Sequence, residues 1–244
     1  MFTIATSINL ADIKMIIMKN PDSDSIELLK EKLSEPARDI RYLFNRGYPK
    51  TSAIQFVSNH YQLNNEERHI LTRVLESSKT SDLRKQKKVN CNQISNKNLI
   101  IDGYNVIITV ESLLKNCNLW EGDDGFVRDT RGIFRKFRIT DTTHKAIDEV
   151  LTFLLKLQVK SVIILFDKQI SKSGELAKFV NDRFKDYSIE GGSRTSRHVD
   201  FDLKNNNSKY IIATSDGAVI DNAEYVVDIP ACLMKKRGYN AFTI

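Results

Sequence analysis

The spacing of apolar positions changes character once along the chain, near residue 97. Before that point it is helical. Ile26, Leu28, Leu29 and Leu33 predict a short amphipathic helix over 25–33, and Pro36 breaks the pattern before the next one. Ile40, Leu43 and Phe44 predict a helix over 37–45, stopped by the turn chemistry of Arg46-Gly47-Tyr48-Pro49. Ala53, Phe56 and Val57 continue over 52–61. Ile70, Leu71, Val74 and Leu75 then give a core face over 64–75, with Asn64 or Asn65 as N-cap. These helices make a small all-α unit over 25–78. Residues 79–96 carry almost no apolar content and read as a polar, basic linker.

From Leu99 onward strands alternate with helices. Leu99-Ile100-Ile101 rises to Asp102, Ser161 to Phe166 ends at Asp167, Tyr210 to Ser215 ends at Asp216, and Tyr225-Val226-Val227 is a last short run. Helices are expected over 141–157 and 173–184, and a glycine-containing loop over 190–197 leads to a helix start at Val199-Asp200. Runs apolar on both faces, separated by amphipathic helices, indicate a mainly parallel sheet covered by helices, in a domain spanning 97–244.

Composition narrows the picture. Of 244 residues, 41% are hydrophobic and 28% charged, enough to bury a substantial core. No apolar run reaches the roughly 18 residues a membrane span needs, so no membrane partner is expected. The stretch 1–24 reads as a leader without secretory features, and Met15 and Met18 are alternative starts. Three scattered cysteines, Cys91, Cys117 and Cys232, read as reduced thiols of a cytoplasmic protein. The four histidines have no zinc-ligand spacing. A net charge of +6 favours an anionic partner such as nucleic acid.

The chemistry gathers on the acids. In an open parallel sheet ligands bind outside the carboxyl ends of the strands. Asp102, Asp167 and Asp216 each follow an apolar run, and Asp200 begins a helix between the last two. Carboxylates brought together raise one another's pKa unless a cation joins them. Mg2+ or Mn2+ takes oxygen ligands, lowers the pKa of water and neutralises a phosphoryl group. Asn105 either orients Asp102 or supports the turn at Gly103. Asp202, two positions from Asp200, diverges from it on a helix.

Ile101-Asp102-Gly103-Tyr104-Asn105-Val106 resembles the opening motif of the NYN branch of the PIN-like nuclease superfamily. Arg197-His198-Val199-Asp200 and Thr214-Ser215-Asp216 are similar to its later motifs. The resemblance spans residues 97 to about 230. The helical front half resembles a small domain that accompanies such modules in archaeal proteins of unassigned function. It implies a PIN-like three-layer sandwich and a metal-dependent endoribonuclease, with Asp102, Asp200 and Asp216 as metal ligands and Asp167 added to them. The branch usually ends its late strand with two acids one residue apart. Here Gly217-Ala218 follows Asp216, and Asp221 is a substitute candidate.

Substrate contacts are expected from position. Ser193, Arg194 and Arg197 enter the Asp200 helix, and Ser173 opens the helix after Asp167, as a phosphate site or an ordinary cap. The long segment 115–140 interleaves Arg128, Arg131 and other cations with Phe134 and Phe137. It is either a hairpin with buried Phe or a single-stranded RNA track. RNA is thus the expected partner, with a homodimer as one assembly. The competing readings are a non-catalytic RNA-binding or assembly module and, less well supported, a phosphatase or nucleotide-binding Rossmann enzyme. The chain has no GxGxxG after the first strand and no P-loop.

Overall fold

A computed structural model describes residues 23–206 and 209–244; all but the last two positions of the expected leader lie outside them. The first helix, α1 (Ser23–Asn45), runs straight through Pro36, where the sequence predicts a break. A proline inside a helix forfeits a hydrogen bond, at a cost of about 3 kcal/mol. Here its ring is buried with Leu33, Ala37, Ile40 and Phe44 on one stripe, and burying each such aliphatic contributes about 1.5–3 kcal/mol. Packing outweighs the lost bond. Helices α2 (Lys50–His60) and α3 (Asn65–Val74) follow as expected, α3 opened by a capping box between Asn64 and Glu67.

The expected linker is instead structured. Residues Ser78–Lys87 form α4, capped by Ser77, Lys88–Val89 form strand β1, and Cys91–Ile94 make a single 3-10 turn. No apolar stripe announces α4, because a buried cation anchors it. Arg84 pairs with Glu76, Asp124 and both carboxylate oxygens of Asp221 at 2.7–2.9 Å.

Six parallel strands form the main sheet, in the order β1-β8-β7-β2-β5-β6. Strand β2 (Asn98–Asp102) is central, between β5 (Ser161–Asp167) and β7 (Ile211–Ala213); β8 is Val226–Val227. Edge strand β6 (Gly191–Ser196) occupies the expected loop. Its sequence, GGSRTS, has no apolar residue for periodicity to find. Helices α5 (Gly103–Leu114), α6 (Asp141–Lys156), α7 (Ser173–Tyr187) and α10 (Ile229–Lys236) supply core with Leu99 and Ile101. Ile100, pointing the other way as the period of two demands, packs with α8 (Val199–Asn205) and α9 (Gly217–Asn222). The chain is thus a mixed α/β protein with a helical N-terminal region.

The segment 115–140 is folded as a separate antiparallel hairpin, β3 (Leu119–Glu121) with β4 (Val127–Asp129), followed by a 3-10 turn over Phe134–Lys136. The hairpin therefore precedes the Phe residues. Phe137 is buried, whereas Phe134 remains 41% exposed. Trp120 on β3 is buried in the core of the helical unit, so the hairpin joins the two halves. Arg41 reinforces that joint by gripping Asp123 with Nε and Nη2.

Cys91 and Cys232 form a disulfide, correcting the expectation of reduced thiols. The pairing of β1 with β8 brings the turn after β1 against α10, and the two cysteines meet there. Cys117 stays free. Among the described residues no helix is long and apolar enough to cross a membrane.

Candidate active site

The strand order sets the position of the site. From β2 the chain runs to β5 and β6 on one side, then returns by α8 to β7 on the other, so its direction reverses between β2 and β7. At such a switch point the loops leaving adjacent strands part and open a crevice. Asp102 closes β2 and caps α5, while Asp216 follows β7 and caps α9 through the N–H groups of Ala218 and Val219. Gly103 is needed for this approach. A Cβ there would stand 2.6 Å from the Phe166 ring and 2.7 Å from the Leu165 carbonyl oxygen.

Two side-chain contacts span the crevice. Thr214 Oγ1 donates to Asp102 Oδ2 at 3.0 Å. Asn105 Oδ1 accepts from the N–H and hydroxyl of Ser215 at 2.8 and 3.0 Å. Asn105 therefore fixes the segment before Asp216 against the start of α5, rather than supporting the turn at Gly103. Behind it Arg128 Nε donates to the Ser215 carbonyl at 3.0 Å.

Above the crevice lies a cleft of about 660 Å³. Asp102, Asp167, Asp200 and Asp216 all line it, together with Asn105, so the topology brings the four sequence-selected acids to one place. Asp202 is not in its lining, as the helical spacing predicts. Burial pushes the Asp102 carboxyl up to about 7, with the charges of Asp216 and Asp200 acting in the same direction; the bonds from Thr214 and the Asn105 N–H oppose them. Asp200 is raised as well, by burial and then by Asp216 and Asp167. Tyr104, on the cleft wall, is pushed up to about 12 by burial and by Asp167. A separate hollow of about 560 Å³ between α1 and the C-terminal Thr243-Ile244 contains none of these groups.

The expected substrate contacts do not reach the cleft lining. Arg128 is buried and spent on Asp124 and backbone carbonyls. Arg131 is held by Asp129, Ser112 and Cys117. The Ser193 hydroxyl donates to the Ala177 carbonyl, because 191–196 is a strand packed on α7. Ser173 is buried at the start of α7, with its N–H on the Ile170 carbonyl. Arg194 and Arg197 are exposed elsewhere. Asp221, the substitute candidate, is bound by Arg84. Gly217 explains why no acid crowds that point: a Cβ would lie 2.6 Å from Arg84 Nη2. The cleft's own basic side chains are Arg73, His69 and Lys136, with Asp129 as a further acid. In the sequence Arg73 stands only as one of the helical unit's cations, either a phosphate-contacting set or the solvated faces of its helices, and nothing singles out His69 beyond its i, i+4 spacing from Arg73 on α3.

The donors in the cleft are carboxylate oxygens, which suit a hard divalent cation. Asp167 Oδ1 accepts from Gln169 N and Asp216 Oδ1 from its own helix cap, and among the described residues no hydrogen bond occupies their second oxygens. Among the described residues, no three His, Cys, Asp or Glu side chains form a group that could directly hold an ion.

A family model described as Domain of unknown function (DUF5616) matches residues 91–232, and one described as Protein of unknown function (DUF434) matches residues 32–87. The chain is 40% identical over 209 residues to "Uncharacterized protein MJ0935" of Methanocaldococcus jannaschii, covering 85% of this chain and 95% of that protein. No solved structure matches.

Proposed function

The chain belongs to the family described as Domain of unknown function (DUF5616), and for this member we propose a metal-dependent ribonuclease of PIN-like fold. The observation that carries the reading is the convergence of Asp102, Asp167, Asp200 and Asp216 on one cleft at the strand-order reversal. Four carboxylates facing one space are a costly arrangement for stability alone, as the raised Asp102 and Asp200 attest. A cation offsets that cost. Bound there, Mg2+ or Mn2+ would lower the pKa of a water molecule and neutralise charge on a phosphodiester.

The chain's own groups have separate tasks in this reading. Asp102 and Asp216 hold the cation side of the cleft, set at fixed separation by Thr214 and Asn105. Asp167, at the end of β5, and Asp200, on α8, line the same cleft and remain for a second contact or a proton. Lys136 and the exposed ring of Phe134, both on the rim, suit the backbone and a base of a single strand.

The purified protein should cleave single-stranded or structured RNA with Mn2+ or Mg2+. EDTA and Asp102→Asn should each abolish cleavage. RNA binding without cleavage under every metal condition supports the non-catalytic binding module instead. Cleavage that survives Asp102→Asn rejects the site.

A further inference from the structure

The two arginines buried among the described residues, Arg84 and Arg128, have partners. Arg84 bonds three carboxylates, and Arg128 bonds Asp124 and two backbone carbonyls. Arg73, on α3 of the helical unit, lines the acid cleft and does neither. Its Nε is enclosed and has no hydrogen-bond partner, and among the described residues no ion pair forms on it. A buried donor left without an acceptor is destabilising, and more so when charged. Such a cost persists where a ligand supplies the missing acceptor.

The surroundings indicate which ligand. Burial and the nearby charge of Arg128 both disfavour the Arg73 cation, while Asp216, Asp129 and Asp102 favour it without touching it. Arg73 thus faces the acids across open space. His69, one turn earlier, is pinned by Nδ1 to the Thr130 carbonyl at 2.6 Å, which fixes this face of α3 over the cleft. A second unmet group points to the same space: the Tyr104 hydroxyl, 1% exposed, also lacks a partner.

We infer that Arg73 is the phosphate-contacting residue of this cleft, so that the N-terminal helical unit completes the substrate site and receives one phosphodiester of RNA opposite the acids. The guanidinium offers two parallel N–H donors to phosphate oxygens. The inference rests on the proposed nuclease reading for the identity of the anion, and its test is independent of cleavage. Cations on the other faces of the helices, such as Arg68, which is tied to the Leu63 carbonyl and Asn59, are not part of the contact.

The experiment is binding in EDTA, where no cleavage occurs, of a fluorescein-labelled oligouridylate, followed by anisotropy against salt. Arg73→Gln should weaken binding about tenfold and lower the salt slope by about one. Arg73→Lys should recover part of the affinity, and Arg68→Gln should bind as the wild type. Wild-type affinity and slope in a folded Arg73→Gln overturn the inference. Should that variant not fold, the wild-type protein decides: the Arg73 Nε–H resonance shifts on titration with inorganic phosphate, or the inference is wrong. Phosphate and RNA binding through Arg73 without cleavage under any metal leaves the inference standing and removes the nuclease reading alone. Failure of the wild type to bind either probe removes the inference.

Discussion

Thr214 Oγ1 lies 3.0 Å from Asp102 Oδ2 and accepts the N–H of Asp216 at 3.1 Å, so one hydroxyl sets the positions of two acids on neighbouring strands. The relationship is a consequence of register. Ile101 is paired with Ala213, which puts Asp102 and Thr214 side by side at the carboxyl edge. The hydroxyl also supplies part of what keeps Asp102 ionisable near neutrality.

Thr214→Val removes that donor while keeping the shape. Asp102, already pushed up to about 7, should move higher. A hydrogen bond to a charged group contributes about 1.5–3 kcal/mol, so the acid limb of the kcat/KM profile for RNA cleavage should shift upward by about 1 pH unit or more. Thr214→Ser, which keeps the hydroxyl, should restore the profile. An unchanged profile in the valine variant would show that Asp102 does not govern the limb.

Three of the acids were legible because each follows an apolar strand, and strand ends map to one edge of a parallel sheet. Asp102, Asp167 and Asp216 needed only that rule, whereas Asp200 follows the polar β6 and was read from the helix start at Val199. Helix α4 and strand β6 were not legible, since α4 is anchored by Arg84 rather than by an apolar face and β6 is a polar edge strand. The cationic side of the cleft was hidden for another reason. Arg73 comes to the cleft of the acids only through the docking of α3, which brings together residues far apart in sequence, and Arg128, outside the lining, looks identical to a solvated arginine until Asp124 is found beneath it.

Asp102 also predicts a pH-dependent stability. Burial holds its folded pKa at about 7, well above the ordinary aspartate value of 3.8. Between those values the native state binds the proton more readily than the unfolded chain, so this group's penalty is full above pH 7 and relieved as pH falls toward 4. Asp102→Asn should therefore raise the unfolding free energy at pH 8 by about 1–3 kcal/mol, with the gain vanishing near pH 4. Mn2+ should raise Tm of the wild type at pH 8 more than at pH 5.5, and leave Asp102→Asn nearly unmoved. Differential scanning calorimetry across this range measures both.

Asn105→Ala deprives the buried Ser215 N–H and hydroxyl of their acceptor. The expected loss is about 1–3 kcal/mol in urea unfolding. Amide exchange should quicken over 214–219, because the Asp216 cap loses its tether to α5. Cleavage should fall with kcat while KM for RNA changes little.

The disulfide closes a separation of 141 residues. In the chain-entropy account, a loop of that length stabilises by about 5 kcal/mol. Cys232→Ser, or reduction of the wild type, should lower stability by up to that amount. Peptide mass spectrometry without reductant should recover Cys91 joined to Cys232, with Cys117 alkylated.

Arg84 ties three parts of the chain together. It joins α4 to Glu76 at the end of the helical unit, to Asp124 in the hairpin and to Asp221 on α9, while its guanidinium packs on Gly217 beside Asp216. Burial disfavours charge on Asp124, yet hydrogen bonds from Arg128 and Arg84 hold its carboxyl below the usual range. Arg84→Met keeps the bulk and removes the charge, so Asp124 retains one cation and loses the other. Breaking one side of a buried ion network costs about 3–5 kcal/mol. Asp221, partly exposed, should recover its solvation. Gly217→Ala should act on the same network from the opposite side, since its new methyl must displace the guanidinium. The two changes share a contact, so their effects in the double variant should be less than additive, by at least about 0.5 kcal/mol. Urea unfolding of the four proteins measures the coupling, and full additivity would separate Gly217 from the Arg84 network.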